Sequence, residues 1–101
     1  MHYLVLAYDH PGAEGQARRA RARERHLAQA SSMSAVTAVF GAAILDEQGA
    51  MIGSMLVMKA DTRDDLDRWL RIEPYVVEEV WHQVTVHPCQ VGPSFLDQSS
   101  P

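Results

Sequence analysis

The sequence predicts a single α+β domain with the ferredoxin-like order βαββαβ, two helices packed on one face of a four-stranded antiparallel sheet. Three observations predict it. Four short β-rich segments are bounded by turn signals, and two longer segments are built of helix formers. The middle two strands are joined by a four-residue polar loop containing glycine, which makes them a hairpin.

The first strand is His2 to Asp9, closed by the turn Asp9-His10-Pro11-Gly12. Tyr3, Val5 and Ala7 alternate with Leu4, Leu6 and Tyr8, so the strand reads as covered on both faces. From Ala13 to Met33 the chain is rich in Ala, Arg, Glu, Gln and Leu with no proline, which predicts a helix. Ala20, Arg23, Leu27 and Ala30 form one helical stripe, and Ala22, His26, Gln29 and Met33 the adjacent one. Val36 to Leu45 and Met51 to Lys59 flank Asp46-Glu47-Gln48-Gly49 as the hairpin strands. Thr62 reads as the N-cap of a second helix, with Asp65 as a short-armed partner in a capping box. Leu66, Trp69 and Leu70 supply its buried stripe as far as Ile72. Pro74 pushes Glu73 out of the α region and ends it. Val76 to Val80 can add one turn. Trp81 to His87 is the last strand, closed by Pro88. The domain spans residues 1–93, and 94–101 read as a flexible polar tail.

Two helices cover one face of such a sheet. The strands read as apolar on both faces, so the other face needs a cover, and a second copy packed sheet to sheet provides it. The expected partner is therefore a homodimer formed through the sheet faces.

Composition narrows the function. A chain of 101 residues with 47% apolar and 22% charged residues is an ordinary globular domain, and its net charge of −4 argues against nucleic acid. The charge is uneven. Residues 14–27 hold five arginines against Glu14 and Glu24, and residues 61–79 hold seven acids against three arginines. The two patches are positioned to attract each other across the fold or an interface. One cysteine, Cys89, excludes an internal disulfide and fits a reducing cytoplasm. The start lacks the charge and length of a signal peptide, and Val36 to Leu45 is too short to span a bilayer. His82 and His87 lie on opposite strand faces, and no histidine or cysteine spacing suits a metal. No glycine-rich phosphate loop or nucleophile elbow is present. The expectation is no metal, no cofactor, no nucleic acid and no membrane, with a small-molecule ligand.

Several segments together resemble the YciI-like family. Arg23-Glu24-Arg25-His26-Leu27-Ala28 is similar to its Arg-x-x-His-Leu helix motif, with Arg19 at a further family-like position upstream. Gly53-Ser54 opens the third strand as family members do. Glu73-Pro74-Tyr75-Val76, followed by Val80, Val84, Val86 and Pro88, resembles the Asp-Pro-Tyr helix entry and closing strand, and Asp9 also matches. The resemblance covers residues 2–90. It implies a dimeric α/β barrel with a pocket in which His26 and Glu73 approach each other. One relative is a lyase that removes HCl from a chlorinated hydroxyquinol, and the wider barrel group includes muconolactone isomerases and monooxygenases. Two departures stand out: Glu73 replaces the usual Asp, and the hairpin loop is short.

An imidazole oriented by a carboxylate abstracts and returns protons near neutral pH, so His26 and Glu73 are the expected catalytic pair. The plain alternatives are a helix-face histidine bonded to a neighbour, and a Glu73 that caps a helix, a task at which Glu is poor. Arg23, one turn before His26, is expected to hold an anionic ligand or to bond Glu73, with a solvated helix arginine as the alternative; Arg19 reads as surface. Tyr75 offers a hydroxyl or packs its ring. Ser54 and Asp9 are further candidates for the pocket lining, Asp9 with capping of the turn before Pro11 as its alternative. Two functions fit these residues: a cofactor-free lyase or isomerase of small polar aromatic or unsaturated acids, and a non-catalytic ligand-binding or accessory domain.

Overall fold

A computed structural model of the protein describes residues 1–29 and 35–96. The elements are β1 (His2–Asp9), α1 (Gly12–Gln29), β2 (Val36–Leu45), β3 (Met51–Ala60), α2 (Arg63–Ile72), α3 (Pro74–Val77), β4 (Trp81–Cys89) and a single turn, α4 (Pro93–Leu96). The sheet is antiparallel throughout with order β2-β3-β1-β4, the ferredoxin-like arrangement that the pattern predicts.

The hairpin loop is held by Asp46. Its carboxylate accepts the backbone N–H groups of Gln48 and Ala50, each at 2.9 Å, and Gly49 supplies the positive φ of 88° that the turn requires. Thr62 caps α2 as expected, its hydroxyl accepting the Asp65 N–H at 3.1 Å. Leu66 and Trp69 of α2 then join Tyr3, Val5 and Ala7 of β1 and Leu56 and Met58 of β3 in one buried core. Burying a side chain such as Leu66 contributes about 1.5–3 kcal/mol.

Three expectations of helix phase and element bounds need correction. Of the two expected stripes of α1, the one with Ala22 and His26 faces inward and is joined by Gly15 and Arg19, whereas Ala20, Arg23 and Leu27 of the other are exposed; Ala30 and Met33 lie outside the described residues. The turn after α2 begins at Pro74 rather than Val76, because proline at the first helical position is already set in φ. Strand β4 runs through Pro88 to Cys89, since β4 is an edge strand where the missing N–H breaks no ladder bond. Residues 93–96 form α4, and residues 97–101 lie outside the described residues.

The helices cover the sheet face that carries Tyr3, Val5 and Ala7. On the other face the register aligns Leu4, Leu6 and Tyr8 with Val57, Met55 and Gly53 of β3, and Phe40 of β2 opposite Val57. That face is apolar across β2, β3 and β1. On β4 it is polar, because Gln83, Thr85 and His87 stand opposite Tyr8, Leu6 and Leu4. The expectation that every strand is apolar on both faces therefore fails at β4.

The two charge patches do meet. Arg25 pairs with Glu78, and Arg18 donates to the backbone carbonyl of Glu79 at 3.0 Å, tying α1 to the end of α3. Both contacts are at the surface, where such pairs contribute little.

Candidate active site

The start of α1 is set by backbone contacts. Gly12 takes a positive φ of 75°, and His10 donates its N–H to the Val80 carbonyl at 2.9 Å. Gly15 then lies so close to the His10 carbonyl that a Cβ would fall 1.6 Å from its oxygen. This close approach brings the polar stripe of α1 over β1 and β3.

Arg19, buried to 7% exposure, enters that space. Its Nη1 donates to both carboxylate oxygens of Asp9, at 3.0 and 2.9 Å, and its Nη2 donates to Ser54 Oγ at 3.0 Å. Trp81 Nε1 donates to the same hydroxyl at 3.3 Å. Ser54 Oγ thus accepts two bonds and keeps its own O–H to donate. Burial pushes the Asp9 carboxyl up from its ordinary value, although the Arg19 guanidinium opposes the shift.

Seven residues beyond Arg19, two turns along the same stripe, stands His26, 8% exposed. Its Nδ1 hydrogen-bonds Oε1 of Glu73, which is fully buried. The same oxygen accepts the Tyr75 N–H at 3.2 Å, so Glu73 is the N-cap of α3 after all. The added methylene that makes Glu a poor general cap gives this one the reach to serve the cap and the imidazole together. A carboxylate acceptor places a proton on Nδ1, and in the neutral ring Nε2 then presents the lone pair. Nε2 has no hydrogen-bond partner among the described residues.

Tyr75 stacks on the imidazole with ring centroids 3.9 Å apart and planes 6° from parallel, and Trp81 stands edge-on to both rings. Its ring packs, and it also lines the cavity described next. Burial raises the Tyr75 phenol above its ordinary value, so it stays protonated at neutral pH.

These groups line a cavity of about 310 Å³ between α1 and the β2–β3 hairpin. Arg19, Arg23, His26, Ser54 and Tyr75 face it on one side, and the small residues Ala38, Gly41, Ala42 and Ala43 of β2 on the other. Arg23 is exposed and forms no ion pair among the described residues. It does not reach Glu73, whose place beside the α1 stripe is taken by His26. Glu73 lies behind the imidazole, and Asp9 lies behind Arg19. A second cavity of about 520 Å³ lies on the other side of the sheet, lined by Leu4, Phe40, Val57, Cys89 and Phe95 among others. It holds no acid–base pair.

Residues 1–90 match the sequence model of the YCII-related domain. The chain belongs to the YCII-related family. No curated protein matches it by sequence. Among solved structures, this YCII-related protein is similar to the 5-chloro-2-hydroxyhydroquinone dehydrochlorinase of Burkholderia phenoliruptrix in complex with 2,5-dihydroxybenzoquinone. The TM-score is 0.77 at 23% identity, over 93% of this chain and 98% of that one, a likeness of fold. Among the described residues no helix is long and apolar enough to cross a membrane.

The structure brings His26, Tyr75, Ser54 and Arg23 to one cavity and sets Glu73 behind His26 and Asp9 behind Arg19. Arg19, expected at the surface, and Trp81, expected only as the start of the last strand, also belong to this cluster. The seven-residue spacing from Arg19 to His26 is the signal that points to Arg19. Nothing in the sequence pairs Trp81 with Ser54.

Proposed function

We propose that this YCII-related protein is a cofactor-free lyase or isomerase, with His26 moving a proton and Glu73 fixing its tautomer. Its substrate is a small polar aromatic or unsaturated acid. The observation that carries this reading is the buried Glu73 behind Nδ1 of an imidazole whose Nε2 is free among the described residues, at the wall of a cavity sized for one ring. Arg23 supplies an uncompensated cation for a phenolate or carboxylate, and Ser54 supplies a hydrogen-bond donor.

The fold neighbour, a dehydrochlorinase of a chlorinated hydroxyhydroquinone, suggests the reaction. On such a ring Nε2 takes one hydroxyl proton and returns it to the carbon that bears chlorine. That carbon then loses chloride as a second hydroxyl gives up its proton. HCl leaves overall, a quinone remains, and no external oxidant is needed. An imidazole that accepts and redelivers one proton is suited to both halves.

The unit that acts is the 1–93 domain, working as a homodimer through its open sheet face; the apolar surface of Leu4, Leu6, Val57 and Phe40 supports the pairing. The unpaired Cys89 supports a cytoplasmic address.

One observation favours a second reading, a ligand-binding domain without turnover: Glu73 Oε1 also caps α3, a duty any stable domain needs. Chloride release and spectral change with chlorinated hydroxyquinols and unsaturated lactones separate the two. Turnover that His26→Ala abolishes without unfolding is expected. Ligand binding that survives His26→Ala, with no turnover of any substrate, would establish the binding domain instead.

A further inference from the structure

Arg19 stands at the centre of a contact chain that ends on the candidate base. Its guanidinium is fixed at one end by the two oxygens of Asp9 and at the other by Ser54, which Trp81 holds in turn. Its Cζ lies over the Tyr75 ring, 4.9 Å from the centroid. That ring is the one stacked on His26. Four bonds around Arg19 and Ser54 thus hold the guanidinium over the Tyr75 ring, and that ring lies against the imidazole. Glu73 restrains only Nδ1 and leaves the ring free to rotate about that bond; a flat surface 3.9 Å away removes the remaining freedom.

We propose that Arg19 is a positioning residue, which acts through the Tyr75 ring to hold the His26 imidazole in one orientation with Nε2 toward the cavity. The proposal rests on the reading of His26 as the base. It requires a planar fork rather than a point charge. A lysine can pair with Asp9, but it cannot bond Ser54 in the same geometry while laying a flat cation on Tyr75.

The test uses ¹⁵N–¹H correlation spectra of the whole protein at alkaline pH, with the His26 signals identified by their loss in His26→Gln. Native protein is expected to show one sharp set of His26 ring signals with Nδ1 protonated. Arg19→Lys is expected to keep the Nδ1–H that Glu73 fixes but to broaden or double the His26 Nε2, Cδ2–H and Cε1–H signals as the ring samples more than one orientation, and kcat in the proposed reaction to fall about 10- to 100-fold with KM little changed, the cost of a misplaced catalytic group. Tyr75→Leu breaks the chain one step later, keeps the Asp9–Arg19 pair, and is expected to broaden the same signals; Tyr75→Phe keeps the ring and the single sharp set. If Arg19→Lys unfolds, Tyr75→Leu decides. Sharp, single His26 signals in the folded variants overturn the proposal, even where His26 proves essential for turnover. Broadened His26 signals without turnover of any substrate leave Arg19 in this role and remove the lyase reading alone.

Discussion

Glu73 carries two loads with different geometric demands, and its variants separate them. Glu73→Asp retains a carboxylate that suits an N-cap but withdraws it from His26 by one methylene. Stability near that of the native protein with impaired turnover is the expected result. Glu73→Gln keeps the length and an oxygen for the Tyr75 N–H but loses the charge that fixes the imidazole. Turnover is expected to fall by about 100-fold or more, with a loss of about 1–3 kcal/mol in urea denaturation. Asp9 offers a pH test. Its carboxyl is raised by burial, so the folded state holds the Asp9 proton more tightly than the unfolded chain does. The stabilisation from that protonated form is complete below the ordinary carboxyl value of about 4 and is lost as pH rises through the raised one. Relative to Asp9→Asn, which carries a constant cost for the unpaired Arg19, the native protein should lose stability as pH climbs from about 3 toward neutrality. A difference between the two that stays flat across that range in denaturant titrations would contradict this. At this scale the sequence showed much of the site, since His26, Glu73, Tyr75 and Ser54 all stand in recognisable motifs. It misplaced Arg19 because an arginine is read as solvated unless its partner is known, and Asp9 is ten residues away on another element.

The elements were legible wherever local chemistry decides them: the Asp46 loop, the Thr62 cap and the Pro74 break. They were less legible where tertiary contacts override the pattern. Helix α1 shows this most clearly. Helical spacing offers two stripes; the one with Leu27 is exposed, while the one with His26 is buried together with Arg19, and the burial of these two is compensated by Glu73 and Asp9. The phase of the helix is set at its first turn by Gly15 against the His10 carbonyl. Gly15→Ala places a methyl group on a backbone oxygen that cannot swing aside, and Gly15 is itself inside a helix where alanine would otherwise be favoured. Destabilisation of about 3 kcal/mol in chemical denaturation is therefore expected, together with altered His26 tautomer signals as α1 lifts. A stabilised Gly15→Ala protein would show that the α1 phase is set elsewhere.

At the scale of the whole molecule the fold has an unequal sheet. One face is sealed by α1 and α2; the other exposes Phe40 to 57% beside Leu4, Leu6, Met55 and Val57, with the polar row of β4 along one border. Apolar surface of this continuity is costly to leave in water, and the polar row limits where a partner fits. The proposed sheet-to-sheet pairing of two copies across β1 and β3 would bury the apolar part and leave Gln83, Thr85 and His87 near the rim. Leu6 and Met55 are register partners in the middle of that patch, so Leu6→Glu puts a charge where the two sheets would meet without touching the core beneath the helices. Light scattering or sedimentation at micromolar concentration should give twice the 11.2 kDa chain mass for the native protein and a single chain mass for Leu6→Glu. The folded signature of Trp69 and Trp81, both on the helix-covered side, should survive in the variant. A native protein that sediments as one chain would mean that the exposed sheet is stable in water, and the homodimer would fall while the fold and the His26 site stand.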